Sequence, residues 1–262
     1  MERFNAVVIG ASYSGLGIAS IGKKILLLEE GEMLGSDYHL SFRPILENAI
    51  FKNSKTKELY DFFGANGIIS ESGADLLTMS TAICKFAVNS GLHEKIILNA
   101  RLMECLPFED GYKVTYFTNT GIHTVFAKDV IDTSFLRNTA RNLIEIKEKY
   151  LHVVCTCLTD DAVKKLKDAG LVLTKGFLPN EYFISFKFNA DTSLSDARLY
   201  IENTWQNLFK NGEFSIDTIG FNFDIQGTEK DGDAPLWIAP HSFENPISAF
   251  DAGCFLAEKK GW

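Results

Sequence analysis

The chain contains 262 residues, of which 46% are hydrophobic and 23% are charged, and its formal net charge is −8 at pH 7. A chain of this size and composition can bury a hydrophobic core in one or two domains. The acidic balance argues against a nucleic-acid partner and an anionic membrane, which both carry negative charge, and no apolar run reaches the roughly 20 residues that a membrane-spanning helix needs.

The first predicted elements form a β-α-β unit at residues 4–31, which read FNAVVIGASYSGLGIASIGKKILLLEEG. An apolar run ends at Gly10, a turn of small residues and a short helix follow, and a second apolar run ends at Glu29. The N–H groups and the dipole at a helix N-terminus attract phosphates, and an acid at the end of the second strand can accept hydrogen bonds from ribose hydroxyls. The unit therefore predicts a dinucleotide site.

This unit departs from the G-x-G-x-x-G pattern, because Ser12 occupies the position of the central glycine. The turn glycine and Gly15 remain, so the alternative is a β-α-β unit that has kept its shape and lost its ligand. We predict that Gly15→Val abolishes nucleotide binding by steric exclusion and leaves much of the fold intact.

The central part of the chain predicts short helices followed by hairpins. Residues 32–75 are interpreted as loops and short helices, and the apolar spacing over 76–89 predicts a longer helix. Strands are predicted next, with hairpin turns between them, over residues 96–98, 102–108, 112–117 and 122–127. The segment DVIDTS (129–134) predicts a separate short strand that ends in small polar residues.

A second layer of sheet and helix is predicted from residue 151 onward. Its predicted elements are strands over 152–158 and 182–188, a helix over 195–209 and a further strand over 214–225. A strand over 236–239, a loop and a helix that begins at Asn245-Pro246 follow. We assign residues 1–150 plus 226–262 to a discontinuous Rossmann-type dinucleotide-binding domain and residues 151–225 to a small α+β substrate or cap domain.

The cysteines and histidines offer no metal or nucleophile motif. None of the five cysteines forms a C-x-x-C pair, and we interpret them as buried structural thiols, with a redox or metal role for the Cys155/Cys157 pair as the alternative. Four histidines are interpreted as surface or structural residues. His241 differs because it follows a strand on the ligand side of the predicted sheet, where either a functional or a structural role is open.

Three segments resemble FAD-dependent oxidoreductases of the glutathione-reductase-like, two-dinucleotide-binding family. They are residues 4–36, 80–134 and 234–260, about half of the chain. The resemblance implies an α/β fold with a parallel sheet, a β-hairpin insertion and a smaller second domain. It also implies FAD as the cofactor and a small molecule as the substrate. Whether a nicotinamide or another electron donor or acceptor is a further partner stays open.

The resemblance also implies the positions of the cofactor contacts. The turn before the first helix and Glu29 would hold the pyrophosphate and ribose, the backbone near Arg101 the adenine, and Arg43 the phosphates. Unpaired N–H groups at the start of the last helix would face the flavin pyrimidine ring, and Thr133 and Ser134 replace the Thr-Gly of a family stretch. The candidate cofactor-binding set is Gly10, Ser12, Ser14, Gly15, Glu29, Glu30, Arg43, Arg101, Leu102, Thr133, His241, Asn245, Pro246, Ile247 and Ser248.

One departure from the family concerns its last strand, which normally ends in Gly-Asp-Ala. Here the strand LWIA runs into Pro240-His241, so either the main chain and His241 hold the ribitol or flavin binding is weak or lost. No catalytic residue is assigned, since the cofactor performs the electron transfer.

Three functions stay open at this point. The first is an FAD-dependent oxidoreductase that transfers hydride or electrons between a small molecule and FAD. The second is an NAD(P)-binding reductase, and the third is a degenerate flavoprotein fold that acts as a non-catalytic binding or assembly module. Because the first predicted strand begins near Phe4, without room for a signal peptide, we expect a cytoplasmic protein.

Overall fold

The structure is a computed structural model that describes residues 1–45, 49–70, 73–208, 214–230 and 234–262. The helices are α1 (Tyr13–Ile21), α2 (Ser36–His39), α3 (Ser54–Ala65), α4 (Leu76–Asn89), α5 (Asp160–Asp168), α6 (Leu194–Leu208) and α7 (Pro246–Lys260). The strands are β1 (Glu2–Ile9), β2 (Ile25–Leu28), β3 (Ile69–Ser70), β4 (Gly73–Ala74), β5 (Ile96–Ile97), β6 (Arg101–Phe108), β7 (Gly111–Thr118), β8 (Gly121–Asp132), β9 (Ile144–Cys157), β10 (Leu173–Lys175), β11 (Glu181–Phe188), β12 (Phe214–Ile219), β13 (Asp224–Glu229) and β14 (Leu236–Trp237). No helix among the described residues is long and apolar enough to cross a bilayer.

The larger sheet has the strand order β5-β2-β1-β8-β7-β6, and β14 also pairs with β8. Strand β1 is parallel to both β2 and β8, and every residue of β2 is buried. Parallel strands covered on both faces read as continuous apolar runs, which explains why the sequence signal was strong here. Together with the hairpin β6–β7 and the second sheet, this architecture confirms the predicted fold class.

Strand β8 corrects one prediction. The segments 122–127 and 129–134 were predicted as separate strands, but residues 121–132 form one strand of 12 residues. Its first half pairs antiparallel with β7 over 121–127, and its second half pairs parallel with β1 over 125–132. The strand continues through Lys128, because its backbone stays extended while its pairing passes from β7 to β1.

The smaller sheet has the strand order β10-β11-β9-β12, with β13 also paired to β9. The strand predicted over 214–225 is instead two strands, which pair with different parts of β9. Between them the backbone N–H groups of Phe221 and Asn222 both donate to the Leu40 carbonyl, at 2.7 and 3.2 Å. This contact draws the chain away from the sheet and divides the strand.

The predicted end of one helix and the predicted domain boundaries can be compared with the structure. Helix α6 covers Leu194–Leu208, and residue 209 of the predicted helix lies outside the described residues. The predicted domain boundaries fall within β9 and β13, both in the smaller sheet. The division into two domains stays a prediction.

Helices α1 and α7 are packed with their backbones in direct contact. A Cβ atom added at Gly17 would lie 2.0 Å from the Phe250 carbonyl oxygen, and one added at Gly253 would lie 2.0 Å from the Ser14 carbonyl oxygen. Both positions therefore need glycine for this helix pair to form. The buried thiol of Cys254 lies at the same contact, 3.5 Å from the Gly17 carbonyl oxygen.

The remaining thiols differ in burial. Cys155 and Cys157 are buried, whereas Cys84 and Cys105 are half-buried, which corrects the interpretation of all five as buried thiols. Burial raises the pKa of the Cys105 thiol to about 12. This thiol is therefore a poor nucleophile near neutral pH.

Candidate functional site

A cleft of about 460 Å³ lies at the carboxyl ends of the parallel strands. Gly10, Glu29 and Thr133 directly follow β1, β2 and β8, and all three line this cleft. The other lining residues come from segments around these three, from 36–40 and from Asn222. In open α/β sheets this edge is where ligands bind, so the structure brings the core of the predicted site together.

Ser12, at the position of the missing glycine, caps helix α1. Its Oγ accepts a hydrogen bond from the Gly15 N–H at 3.2 Å and lies 2.9 Å from the Ser14 Oγ. The start of α1 faces the cleft, where the helix dipole favours an anion. Ser12 thus stabilises the helix while engaging one of the N–H groups that a phosphate would otherwise use.

The two glycines of this turn are required by the protein's own packing. Gly10 has φ +95°, which favours glycine. A Cβ atom at Gly15 would lie 2.5 Å from the Gly10 carbonyl oxygen and 2.6 Å from the Thr133 Oγ1. The prediction that Gly15→Val leaves much of the fold intact is therefore wrong, because valine would collide with backbone whether or not a ligand is bound.

Glu29 holds the turn against the end of β2. Its Oε2 accepts a hydrogen bond from the Ala11 N–H at 2.6 Å, and its Oε1 accepts one from the Gly31 N–H at 2.8 Å. Burial raises the pKa of this carboxyl group, and the two backbone hydrogen bonds oppose that shift. These two hydrogen bonds fix the Glu29 carboxylate in the cleft wall.

Glu30 forms a more exposed group with arginines. Its carboxylate oxygens lie 3.7 Å from the Arg101 Nε and 3.5 Å from the Arg141 Nη2. Arg141 lines the cleft, whereas Arg101 and the half-buried Leu102 do not. Exposed ion pairs contribute little stability. Arg141 was missed because its position depends on the loop after β8, for which the sequence carries no local signal.

Asp132 at the end of β8 is a buried acid that sequence reasoning did not select. It accepts hydrogen bonds from the Ser134 N–H and Oγ at 2.8 and 2.6 Å and from the Thr139 N–H and Oγ1 at 2.7 and 2.8 Å. Burial raises the pKa of Asp132, and these hydrogen bonds oppose the shift. The side chain fixes the loop that forms one wall of the cleft. An acid inside the apolar run of DVIDTS is the signal that could have identified it.

Arg43, a predicted phosphate ligand, lies away from the cleft. It is 7% exposed. Its Nη1 donates to the Pro240 carbonyl at 3.0 Å, its Nη2 donates to the His241 carbonyl at 3.1 Å, and its Nε lies 3.6 Å from the Asp224 Oδ2. The guanidinium group is therefore engaged with the protein in this structure.

His241 and the start of α7 also lie outside the cleft lining. The His241 ring packs edge-on against Trp237, with ring centroids 5.7 Å apart. Burial lowers the pKa of His241, and the nearby Asp224 carboxylate opposes this shift. Asn245 caps α7 by accepting from the Ile247 N–H at 2.9 Å, and the Ser248 Oγ accepts from the Ile50 N–H at 3.0 Å.

The start of α7 therefore differs from the expectation in two ways. The Ile247 N–H was expected to be unpaired, which is wrong because the Asn245 side chain accepts its hydrogen bond. Residues 245–248 contribute nothing to the lining of the 460 Å³ cleft, and residue 50 packs against them instead. The roles assigned to these residues stay predictions.

A second cavity of about 220 Å³ lies against the smaller sheet and includes Arg43 in its lining. Inside it, His152 is 4% exposed, with its Nδ1 2.9 Å from the Ser185 Oγ and its Nε2 3.4 Å from the Asp224 Oδ2. Burial opposes ionisation of Asp224, but the His152 hydrogen bond and the Arg43 charge hold its pKa below the usual value. His152 was interpreted as a surface or structural residue. The sequence could not identify its polar contacts, because Ser185 and Asp224 lie on strands distant in the chain.

No protein-family model and no curated protein matches the chain. Solved structures do match. OxyS anhydrotetracycline hydroxylase from Streptomyces rimosus has a TM-score of 0.61 at 13% identity, covering 99% of this chain and 62% of that one. A flavoprotein/dehydrogenase from Cytophaga hutchinsonii has a TM-score of 0.59 at 14% identity, covering 99% and 78%. The rebeccamycin biosynthetic enzyme RebC, solved with reduced flavin, has a TM-score of 0.54 at 12% identity, covering 99% and 61%.

At these identities the likeness establishes a shared fold. The predicted Rossmann-type FAD/NAD(P)-binding fold is thereby confirmed, and the glutathione-reductase-like subfamily is not. The similar proteins include a hydroxylase and a flavoprotein/dehydrogenase.

Proposed function

We propose that this chain binds FAD and acts as an FAD-dependent oxidoreductase on a small molecule. The observation that carries the proposal is the cleft at the carboxyl ends of β1, β2 and β8, where the start of α1 meets the Glu29 carboxylate. A helix N-terminus and a strand-end acid are the complementary partners of a pyrophosphate and a ribose. Similar folds include a flavoprotein/dehydrogenase and an enzyme solved with reduced flavin.

The pyrophosphate and ribose of FAD have complementary partners in this cleft, whereas Arg101 and Leu102, near the predicted adenine contact, lie outside its lining. The turn from Gly10 to Gly15 would hold the pyrophosphate, Glu29 the ribose, and the backbone near Arg101 and Leu102 the adenine. When bound, the flavin would accept or donate hydride or electrons. The start of α7, which would serve the flavin half, lies outside the cleft lining.

Purified protein titrated with FAD tests the proposal. We expect a bound flavin spectrum with absorbance at about 450 nm and competition by ADP, because the adenosine half would supply much of the affinity. FMN, which lacks that half, is expected to bind poorly. Failure of both FAD and ADP to bind would contradict the proposal.

Replacing Glu29 is expected to weaken ADP binding through the loss of charge-assisted hydrogen bonds to the ribose. For Glu29→Ala the expected loss is about 1.5–3 kcal/mol, which is roughly 10- to 150-fold in Kd. Isothermal titration calorimetry measures it. Glu29→Gln keeps one acceptor and is expected to lose less.

Glu32→Ala is the matched control for Glu29→Ala. Glu32 is an exposed acid of the same cleft, so its removal changes the charge without removing a ribose partner. An equal effect of the two substitutions would move the ribose contact away from Glu29. Urea unfolding checks that loss of the Ala11 and Gly31 hydrogen bonds has not unfolded the variant.

The second candidate is a non-catalytic nucleotide-binding module. It is favoured by the engagement of Arg43 with the Pro240 and His241 carbonyls and by the contact of Ser248 with residue 50. A protein that binds ADP but acquires no flavin spectrum would support this candidate. NADH added to the same protein tests the third possibility, a nicotinamide-binding reductase.

A further inference from the structure

Asp37 is a buried acid beside the first turn of α1. This residue is among those that line the 460 Å³ cleft and is 2% exposed. The Gly35 N–H donates to the Ala11 carbonyl at 2.7 Å, and the Tyr13 and Tyr38 rings pack edge to face with centroids 5.7 Å apart. These contacts hold α2, and Asp37 with it, against the turn that begins α1.

Neither carboxylate oxygen of Asp37 has a partner with full hydrogen-bond geometry. The backbone N–H of Tyr13, in the first turn of α1, is nevertheless among the groups that favour its ionised form. A buried polar group without a partner is costly. The unpartnered oxygens therefore mark a position at which a ligand would supply the missing hydrogen bond.

The charged and polar groups near Asp37 shift its pKa in opposite directions. Burial raises the pKa of Asp37 to about 7, with a further contribution from Glu29, and the backbone N–H groups and Arg43 oppose the shift. Burial also raises the pKa values of Tyr13 and Tyr38, and it lowers the pKa of His39 to about 4. These three side chains are therefore neutral around pH 7.

We propose that the Asp37 carboxyl group occupies the phosphate subsite of the cleft and that a nucleotide phosphate binds there only when this group is protonated. The proposal rests on the proposed nucleotide site. An ionised carboxylate and a phosphate compete for the same positive helix end and repel each other. A protonated Asp37 instead donates its O–H to a phosphate oxygen.

The affinity for a nucleotide then depends on pH in one direction. Below about pH 7 most molecules carry the proton and bind with the intrinsic affinity. Above it the competent fraction falls, so the apparent Kd for ADP is expected to rise by about tenfold per pH unit. Asp37→Asn copies the protonated carboxyl group and is expected to bind ADP tightly with no pH dependence in this range.

Calorimetric titration of ADP into the whole chain, from about pH 5.5 to pH 8.5, tests this expectation. Wild type is expected to lose roughly 15-fold in affinity between pH 7 and pH 8.5, and Asp37→Asn less than twofold. The proposal is also supported if, at high pH, Asp37→Asn binds ADP and wild type does not. Glu32→Gln is the matched control, since it removes an acid of the same cleft and should keep the wild-type pH profile.

Failure of the Asp37 proposal and failure of the proposed function give different results. If wild type and Asp37→Asn bind ADP equally at every pH, or if the variant binds more weakly, Asp37 does not block the subsite, and the nucleotide site itself stands. If the pH dependence persists in Asp37→Asn, another group, such as Glu29, controls it and the proposal is wrong. If neither protein binds ADP or FAD at any pH, both this proposal and the proposed function fail.

Discussion

Gly17→Val is expected to destabilise the protein by more than about 3 kcal/mol, a large part of the 5–15 kcal/mol that usually stabilises a domain. The reason is the contact between α1 and α7, where a Cβ atom at position 17 would lie 2.0 Å from the Phe250 carbonyl oxygen and 2.9 Å from its carbon. The obstacle is backbone, so no side-chain rotation relieves it. Urea unfolding followed by circular dichroism measures the loss.

Gly64 provides the control for a glycine in a helix. It lies in α3, and nothing lies within 4 Å of a Cβ atom added there. Gly64→Ala is therefore expected to stabilise the protein by up to about 1 kcal/mol, since alanine has the better helix propensity. A Gly17→Val protein with wild-type stability would show that α1 and α7 do not touch in this way.

Arg43→Met is expected to destabilise the fold by about 3–5 kcal/mol, the usual effect of removing one partner from a buried ion pair. The Pro240 and His241 carbonyls would lose their donors, and Asp224 would lose a neighbouring positive charge. Urea unfolding at about pH 7 measures this effect, and Arg43→Lys, which keeps the charge without the paired N–H groups, is expected to recover part of the loss.

The same variant should change the acid side of the stability profile. Arg43 helps to hold the pKa of Asp224 below its usual value. This interaction stabilises the folded protein above the pKa of the unfolded state, and the stabilisation disappears as the pH falls through the folded-state pKa. In Arg43→Met that pKa rises, so the contribution of Asp224 is expected to disappear at a higher pH.

Arg141→Met is the control for Arg43→Met, because Arg141 is an exposed arginine of the cleft. Its effect on stability is expected to stay within about 0.5 kcal/mol. If Arg43→Met instead lowered the affinity for FAD while leaving stability unchanged, Arg43 would contact the phosphates, as the sequence comparison implied.

The parts of the fold that could be predicted from sequence have local signals. The β-α-β unit is specified by two continuous apolar runs, a glycine turn and a serine cap, all within residues 4–31. Helix α4 was predicted with its observed ends, Leu76–Asn89, because the apolar period is regular and Gly91 follows its end. In the structure Asp75 caps its start. At the cleft, Gly10, Ser12 and Glu29 could be identified because they lie just after such runs. Thr133 was identified because its segment resembles a stretch of the FAD-dependent family.

The parts that could not be predicted depend on contacts between distant residues. Arg43 binds carbonyls almost 200 residues later in the chain, and Asp37 reaches the cleft only because α2 packs on α1. From the sequence, Arg43 was assigned to the cofactor phosphates and Asp37 was not selected. The division of the strand predicted over 214–225 likewise follows from hydrogen bonds to Leu40. No turn motif in the sequence predicts this division.

The contact between α1 and α7 has a consequence for synthesis on the ribosome. Helix α1 ends at Ile21, and its partner begins only at Pro246. At about 5–20 residues per second, roughly 10–50 s separate the two. During that time the glycine face of α1 is uncovered, so we expect the nascent β-α-β unit to be a target for chaperones until α7 leaves the exit tunnel.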